Sequence, residues 1–273
     1  TSEGDRLLVY CWRGGLRSRA LATVLSHVGF KVELLEGGYR AYRRAVAAFL
    51  EKSLPAFRFV VVSGPTGSGK GRVLAALAAQ GGQVLDLEEL AMHRGSTFGA
   101  MEEAQPRQKF FESKLTAALA PMAPERPIFV ESESRRVGAC HLPEGLAEGM
   151  AAGERVELAV PLAERVRWIR ECYSHFETKA FQPQLIAAID KLTPLLGRLR
   201  TDAWRALVED GRWEQLVEEL LVGHYDPAYA KARRRLGTAE EGMRADIHSL
   251  QDPAAVTAAA AAMLRQHDPV AVS

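Results

Sequence analysis

The sequence predicts an α/β protein with two successive α/β domains and a helical C-terminal region. Short apolar strands alternate with helical patterns as far as residue 161, which is typical of a parallel sheet flanked by helices. A glycine-rich loop lies between one of these strands and the next helix. After residue 162 helical periodicity dominates, so we expect no further strand.

A break in the pattern divides the first two parts. Residues 52–57 form a short polar connection that contains Pro55, as is typical of a boundary. We therefore predict a first domain at residues 1–52 and a second at 57–161. The helical region, 162–273, is either separate or part of the second domain.

Composition excludes several classes of protein. The 273 residues carry a net charge of +1, so the chain has no long-range attraction for polyanions, and nucleic acid must meet a local basic patch. No apolar run reaches the roughly 18 residues of a membrane span, and we predict no membrane contact. The three cysteines are widely spaced and form no C-x-x-C pair. They indicate a reducing, cytoplasmic environment without disulfides, and no metal centre is predicted.

The first candidate site is a cysteine loop. An apolar strand at 7–10 enters Cys-Trp-Arg-Gly-Gly-Leu-Arg-Ser, and a helix follows at about 16–28. Backbone N–H groups and the helix N-terminus converge on Cys11, which favours its thiolate. We expect Arg13 and Arg17 to strengthen this effect, while the two glycines let the loop curl around an anion.

The spacing from Cys11 to Arg17 occurs in protein phosphatases and in rhodanese-type sulfurtransferases. The next strand ends in Glu-Gly-Gly and leads into a helix that contains Tyr39 and Tyr42, which resembles the second half of a rhodanese domain. No general-acid Asp loop typical of phosphatases can be identified. We therefore interpret residues 1–52 as the C-terminal half of a rhodanese-like domain, N-terminally truncated and weakly stable or inactive. A buried structural cysteine is the alternative.

The second candidate site is a phosphate loop, residues 64–70. It has the form Gly-x-x-x-x-Gly-Lys and lies between a strand and a helix, as this motif requires. Its predicted phosphate-binding residues are Gly64, Thr66, Gly67, Ser68, Gly69 and Lys70. Gly71 stands where Ser or Thr would hold Mg²⁺, so we expect weakened NTP hydrolysis but intact phosphate binding. The need for Mg²⁺ stays open.

Further polar residues follow the ends of later strands. Because ligands of parallel sheets bind at the carboxyl edge, we predict that these residues lie near the phosphates. They are Asp86, His93, Arg94, Ser96, Glu131, Glu133 and Arg135. Two of them, Asp86 and Glu131, are candidates to hold a metal ion directly or through water. The alternative is a helix cap or a solvated loop with salt bridges.

Taken in order, these motifs resemble the tRNA 2-selenouridine synthases, and the resemblance extends over residues of about 7–230. It is carried by the cysteine loop, Glu-Gly-Gly-Tyr, the phosphate loop, and four later motifs. The later motifs are Asp86-Leu87-Glu88-x-Leu90-Ala91-x-His93-Arg94-Gly95-Ser96-x-Phe98-Gly99, Glu131-x-Glu133-Ser134-Arg135, His141-Leu142-Pro143-Glu144 and Tyr225-Asp226-Pro227-x-Tyr229. The resemblance implies a rhodanese domain followed by a P-loop domain. It also implies conversion of wobble 2-thiouridine to 2-selenouridine through an S-geranylated intermediate.

The same resemblance implies the substrates and roles. Geranyl diphosphate and selenophosphate are the small-molecule substrates, and no tightly bound cofactor is expected. Cys11 acts as nucleophile or selenium carrier beside Arg13 and Arg17, and Lys70 neutralises the diphosphate. The expected partners are tRNA, at its anticodon region, and a selenophosphate-producing enzyme. Candidate tRNA-binding residues are Lys231, Arg233, Arg234, Arg235, Arg167, Arg170, Arg198 and Arg200.

Two other functions fit the same residues. One is a P-loop kinase or NTPase fused to a rhodanese remnant, which would hydrolyse ATP or transfer its phosphoryl group without tRNA. The other is a non-catalytic fragment that binds tRNA without reaction.

Overall fold

The computed structural model describes residues 6–99, 103–235 and 242–272. The chain divides into two compact units, residues 1–55 and residues 56–273.

The first unit is a small α/β arrangement. Strands β1 (Arg6–Val9) and β2 (Lys31–Leu34) pair in parallel, with Leu7 opposite Val32. Helix α1 (Leu16–His27) connects them, and α2 (Gly38–Lys52) follows β2. Several large apolar side chains of this unit are exposed, among them Leu8, Trp12, Leu16 and Val24.

The second unit is built on a five-stranded parallel sheet. The strands described in this unit are β3 (Arg58–Ser63), β4 (Gln83–Leu85), β5 (Pro127–Glu131), β6 (Arg136–Val137), β7 (Cys140–His141), β8 (Glu154–Ala159) and β9 (Met243–Asp246). The order across the sheet is β4-β5-β3-β8-β9, while β6 and β7 form a separate antiparallel pair. The central β3 is buried from its second residue onward, which explains its unbroken run of apolar residues.

Helices cover the sheet and extend beyond it. The described helices of this unit are α3 (Lys70–Ala79), α4 (Leu87–Ala91), α5 (Gln108–Leu119), α6 (Glu144–Ala152), α7 (Leu162–Cys172), α8 (Gln182–Asp190), α9 (Thr193–Leu196), α10 (Arg198–Glu209), α11 (Trp213–Leu220), α12 (Asp226–Arg235) and α13 (Pro253–His267). A π-helical turn, Leu221–Tyr225, joins α11 to α12. One apolar core lies between the sheet, α3 and α13, and a second lies among α8, α10 and α11.

The predicted parallel α/β architecture with a helical C-terminal region is confirmed. The expectation of no strand after residue 161 is wrong, because β9 pairs in parallel with β8, with Met243 opposite Val156. Of the four residues of β9 only Ala245 is buried, and it lies between two charged side chains. A short edge strand of this kind lacks the apolar run by which a strand is recognised.

A buried ion pair joins the end of α13 to the segment before β5. The Arg126 guanidinium donates to the Asp268 carboxylate at 2.7 Å, and the Asp268 side chain is only 1% exposed. Burying the Arg126 guanidinium costs less free energy than burying the carboxylate, because the arginine side chain is still 25% exposed. The carboxylate therefore depends on the pair more than the guanidinium does.

We predict that Arg126→Ala lowers the free energy of unfolding by about 3 kcal/mol, because it leaves a buried carboxylate without its cation. Urea denaturation measures the loss. The matched control is Asp246→Ala, which breaks the exposed pair with Arg244 and costs less than about 1 kcal/mol. Equal losses in the two variants would contradict the assignment.

Candidate functional sites

The cysteine loop holds Cys11 at the start of α1. The Gly15 backbone N–H donates to the Cys11 Sγ at 3.2 Å, and the Ser18 hydroxyl donates to it at 3.4 Å. These contacts lower the pKa of the thiol to about 6, with the Ser18 hydroxyl as the largest cause and the Arg13 backbone N–H next. Cys11 is partly exposed. The thiolate therefore predominates at neutral pH and can be reached from solvent.

The Glu-Gly-Gly-Tyr motif packs against this loop. The Tyr39 backbone N–H donates to the Cys11 carbonyl at 3.0 Å. At Gly38, where φ is +62°, a Cβ would lie 2.1 Å from the Cys11 carbonyl oxygen, so only glycine fits. The second motif thus fixes the backbone of the first.

The two arginines of the loop are exposed at its surface. The lowered pKa of Cys11 comes mainly from the Ser18 hydroxyl and backbone N–H groups, and a contribution from Arg13 and Arg17 stays a prediction. Sequence reasoning missed the role of Ser18 in lowering this pKa, although Ser18 is the last residue of the Cys-x₅-Arg-Ser pattern. The arginine side chains stay candidates for contact with an incoming anion.

The phosphate loop borders a pocket of the second unit, a cavity of about 970 Å³. Lys70 begins α3, so the loop amides and the helix N-terminus face the same space. All six predicted phosphate-binding residues border this pocket. At Gly67, where φ is +82°, the backbone conformation favours glycine, and a Cβ would also press on the end of the Ile169 side chain at 2.7 Å.

The pocket contains two buried hydroxyl groups and an open space beside Gly71, and both features indicate what it can bind. The Ser63 and Ser68 Oγ atoms are buried and find no hydrogen-bond partner among the described residues. Buried hydroxyls of this kind require partners, and phosphate oxygens would supply them. A Cβ at Gly71 would meet nothing within 4 Å among the described residues, so space exists for the hydroxyl that is absent there.

A buried arginine supports the loop from α7. The Arg165 Nε donates to the Thr66 carbonyl at 3.0 Å, and its terminal nitrogens donate to the Asp226 carboxylate, the shorter contact being 2.6 Å. The Arg165 side chain is 7% exposed. Asp226 belongs to the Tyr225-Asp226-Pro227 motif, so that motif anchors the loop through Arg165.

Acidic side chains lie beside Lys70. Glu88 and Glu133 border the pocket, and burial is the main cause that raises the pKa of each, that of Glu133 to about 7. Glu131 lies deeper and accepts the Glu88 backbone N–H at 2.7 Å. Burial and the neighbouring carboxylates raise the pKa of Glu131 strongly. Asp86 accepts the Glu89 backbone N–H at 2.7 Å and caps α4.

The remaining predicted residues divide into two groups. Arg94 and Ser96 border the pocket, and Arg94 donates to the Cys172 carbonyl at 2.7 Å and lies over the Tyr173 ring. His93 accepts the Gly95 backbone N–H through its Nδ1. Of the predicted residues, those that do not border the pocket are Asp86, His93, Glu131 and Arg135.

A second polar group borders the pocket, and sequence reasoning missed its central residue, Glu157. The Tyr229 hydroxyl donates to the Glu157 carboxylate at 2.8 Å, and Arg233 contacts the same carboxylate. Arg155 and Arg244 border the pocket nearby. The repeated tyrosines of the Tyr225–Tyr229 motif were the available signal; nothing in the sequence indicated Glu157.

Most of the predicted tRNA-binding arginines already have intramolecular partners. Arg167 pairs with Glu164, and Arg170 with Glu177. Arg200 donates to the Gly223 carbonyl. Lys231 and Arg234 are exposed on α12, and the side chain of Arg235 lies outside the described residues.

The described ranges also bear on metals and membranes. Within residues 6–99, 103–235 and 242–272, no group of three or more His, Cys, Asp or Glu side chains is arranged to hold a metal ion. None of the helices in those ranges is long and apolar enough to cross a bilayer. Cys11, Cys140 and Cys172 are all free thiols.

The parallel sheet, the loop at the end of β3 and the pocket above it define a P-loop α/β protein. Residues 57–255 match the family model of the tRNA 2-selenouridine synthase AAA domain. The chain belongs to the tRNA 2-selenouridine synthase family.

Named relatives cover most of the chain. A tRNA 2-selenouridine synthase of Alcanivorax borkumensis is 33% identical over 88% of this chain and 73% of its own length. Those of Marinobacter nauticus and Aeromonas salmonicida are 34% and 36% identical, each over 81% of this chain and 66% of the relative. The chain thus spans about two thirds to three quarters of the length of these three relatives.

We predict that Ser18→Ala raises the pKa of Cys11 toward the ordinary thiol value of about 8.5, because the main hydrogen bond to the sulfur is lost. Iodoacetamide alkylation of the Cys11 peptide, followed by mass spectrometry from pH 5 to 9, measures the midpoint. Thr23→Ala is the matched control, since its hydroxyl donates to the Arg19 carbonyl in the same helix. An unchanged midpoint in Ser18→Ala would count against the role of Ser18.

We predict that the difference in free energy of unfolding between Glu131→Gln and wild type shifts in favour of the variant as pH rises from 5 to 8. The raised pKa means that the folded state holds a proton that the unfolded state loses above about pH 4.5. Glu131 therefore makes wild type lose stability with rising pH, by at most about 1.4 kcal/mol per pH unit, and the glutamine variant lacks this contribution. Urea denaturation at four pH values tests this, with the exposed Glu125→Gln as control. Parallel curves for wild type and Glu131→Gln would refute it.

Proposed function

We propose that this chain takes part in converting wobble 2-thiouridine of tRNA to 2-selenouridine, with geranyl diphosphate and selenophosphate as substrates. The observation that carries the proposal is the presence of two separate anion-binding loops in one chain. One presents a thiolate, and the other presents Lys70 with two buried, unpartnered hydroxyls. The names of the relatives support the same reaction.

The phosphate loop suits the geranylation step. In that step the thiouridine sulfur attacks C1 of geranyl diphosphate, the C–O bond breaks, and diphosphate leaves with the bonding electron pair. Lys70 and the loop amides stabilise the charge that develops on this leaving group. Such a step needs no hydrolysis of NTP, which agrees with Gly71 in place of a hydroxyl residue. Glu133, whose pKa burial raises to about 7, borders the same pocket.

The cysteine loop suits the selenium step. Selenophosphate is an anion, and the loop offers backbone N–H groups with Arg13 and Arg17 at its surface. Cys11 serves there as nucleophile or as selenium carrier, in the manner of a rhodanese. Exposed basic residues such as Lys231 and Arg234 are proposed to contact tRNA phosphates. We further propose a cytoplasmic location, contact with a selenophosphate-producing enzyme, and no tightly bound cofactor.

Mass spectrometry of 2-thiouridine tRNA incubated with the protein and both substrates tests the proposal. We predict that Lys70→Ala slows S-geranylation by roughly a hundredfold, because it removes the cation at the leaving group. Cys11→Ala is expected to abolish selenation and to spare geranylation. The control variants are Lys191→Ala, an exposed lysine of the same unit, and Cys140→Ala, a buried thiol.

The outcomes separate the three candidate functions. An absence of both geranyl and selenium mass shifts in wild type would reject the proposed reaction. ATP hydrolysis or phosphoryl transfer without tRNA would instead favour a P-loop kinase or NTPase. Binding of tRNA with no mass shift would favour a non-catalytic fragment.

A further inference from the structure

An apolar pocket adjoins the phosphate-loop pocket within the second unit. Aromatic and aliphatic side chains from the helical segments after α7, together with Phe98, line it. The principal ones are Phe98, Phe176, Leu185, Trp213, Leu216 and Val217. We call this space the side pocket. Leu185 and Leu216 belong to the second apolar core, and Phe98, Phe176 and Trp213 pack at the edge of that core.

The side pocket adjoins the phosphate site. Five residues border both cavities: Thr66, Ser96, Ile169, Tyr173 and Tyr225. Thr66 is itself a residue of the phosphate loop. The two cavities therefore share part of their walls at the phosphate loop itself.

The lining of the side pocket favours hydrocarbon over a nucleobase. Its charged residues, Arg170 and Glu177, are joined to each other by a hydrogen bond of 3.0 Å. A thiouracil ring carries N–H and carbonyl groups that would need partners when buried, whereas a hydrocarbon chain needs none. Walls of Phe, Trp and Leu offer contact area to such a chain.

We propose that the side pocket binds the hydrocarbon chain of a prenyl diphosphate whose diphosphate group occupies the phosphate loop. This inference rests on the proposed function, since it assigns the other end of the same substrate. The diphosphate end supplies charge recognition, and the side pocket selects for an apolar chain. Tyr173 and Tyr225 stand at the junction, where the chain leaves the phosphates.

Calorimetric titration of the full chain with two probes, inorganic pyrophosphate and geranyl diphosphate, tests the proposal. Wild type is expected to bind geranyl diphosphate at least about tenfold more tightly than pyrophosphate, because apolar surface leaves water. Val217→Trp fills the side pocket and is expected to remove most of this difference while leaving pyrophosphate binding unchanged. Val222→Trp is the matched control, since Val222 is 53% exposed and does not border the side pocket.

Each failure has a distinct meaning. If neither probe binds wild type, the proposed role of the phosphate loop falls. If pyrophosphate binds but geranyl diphosphate binds no more tightly, the diphosphate site stands and the side-pocket proposal is overturned. A preference for geranyl diphosphate that survives both Val217→Trp and Phe98→Ala, each shown to be folded by circular dichroism, also overturns it. Free 2-thiouridine could also compete with geranyl diphosphate for the side pocket. If Val217→Trp alone abolished that competition, the pocket would be assigned to the base and the proposal would be overturned.

Discussion

The buried guanidinium of Arg165 is the constraint on which the phosphate site depends. It joins the Thr66 carbonyl in the loop to Asp226 at the start of α12. A buried cation without its carboxylate is costly, so the loop, α7 and α12 are fixed together. Because Thr66 borders both the phosphate pocket and the side pocket, the same contact determines how the two cavities meet.

The backbone of the cysteine loop is also held in place, but without a buried charge. Close packing of Gly14 against Gly37 and Gly38 holds its backbone, because a Cβ at Gly14 or Gly38 would collide with the backbone of the other segment. The N–H groups are then directed at the Cys11 sulfur before any substrate arrives. Preorganised donors of this kind stabilise a thiolate without further rearrangement. Both loops therefore present backbone amides. Close glycine packing holds the cysteine loop, and a buried arginine supports the phosphate loop.

How far the sequence predicts this structure depends on whether a feature is local. The strand, loop and helix around residues 58–79 were predictable, because a buried strand leaves an apolar run and the loop leaves its glycines. The strand β9 was not, since its pairing with β8 is long-range and two of its residues are charged. The contact of Arg165 with Asp226 joins residues 61 positions apart, and no local pattern marks it. The placement of Asp86 as a helix cap was one of two alternatives that the sequence left open.

The carboxylates around Lys70 make the charge of the phosphate site adjustable near neutral pH. A phosphate site lined by ionised Glu88 and Glu133 would repel its own ligand. Burial opposes ionisation of both, while Lys70 favours it, and the balance places the pKa of Glu133 at about 7. A diphosphate bound as proposed would take up the positive charge of Lys70 and shift this balance toward protonated carboxyls. Ligand binding and proton uptake would then be coupled at this site.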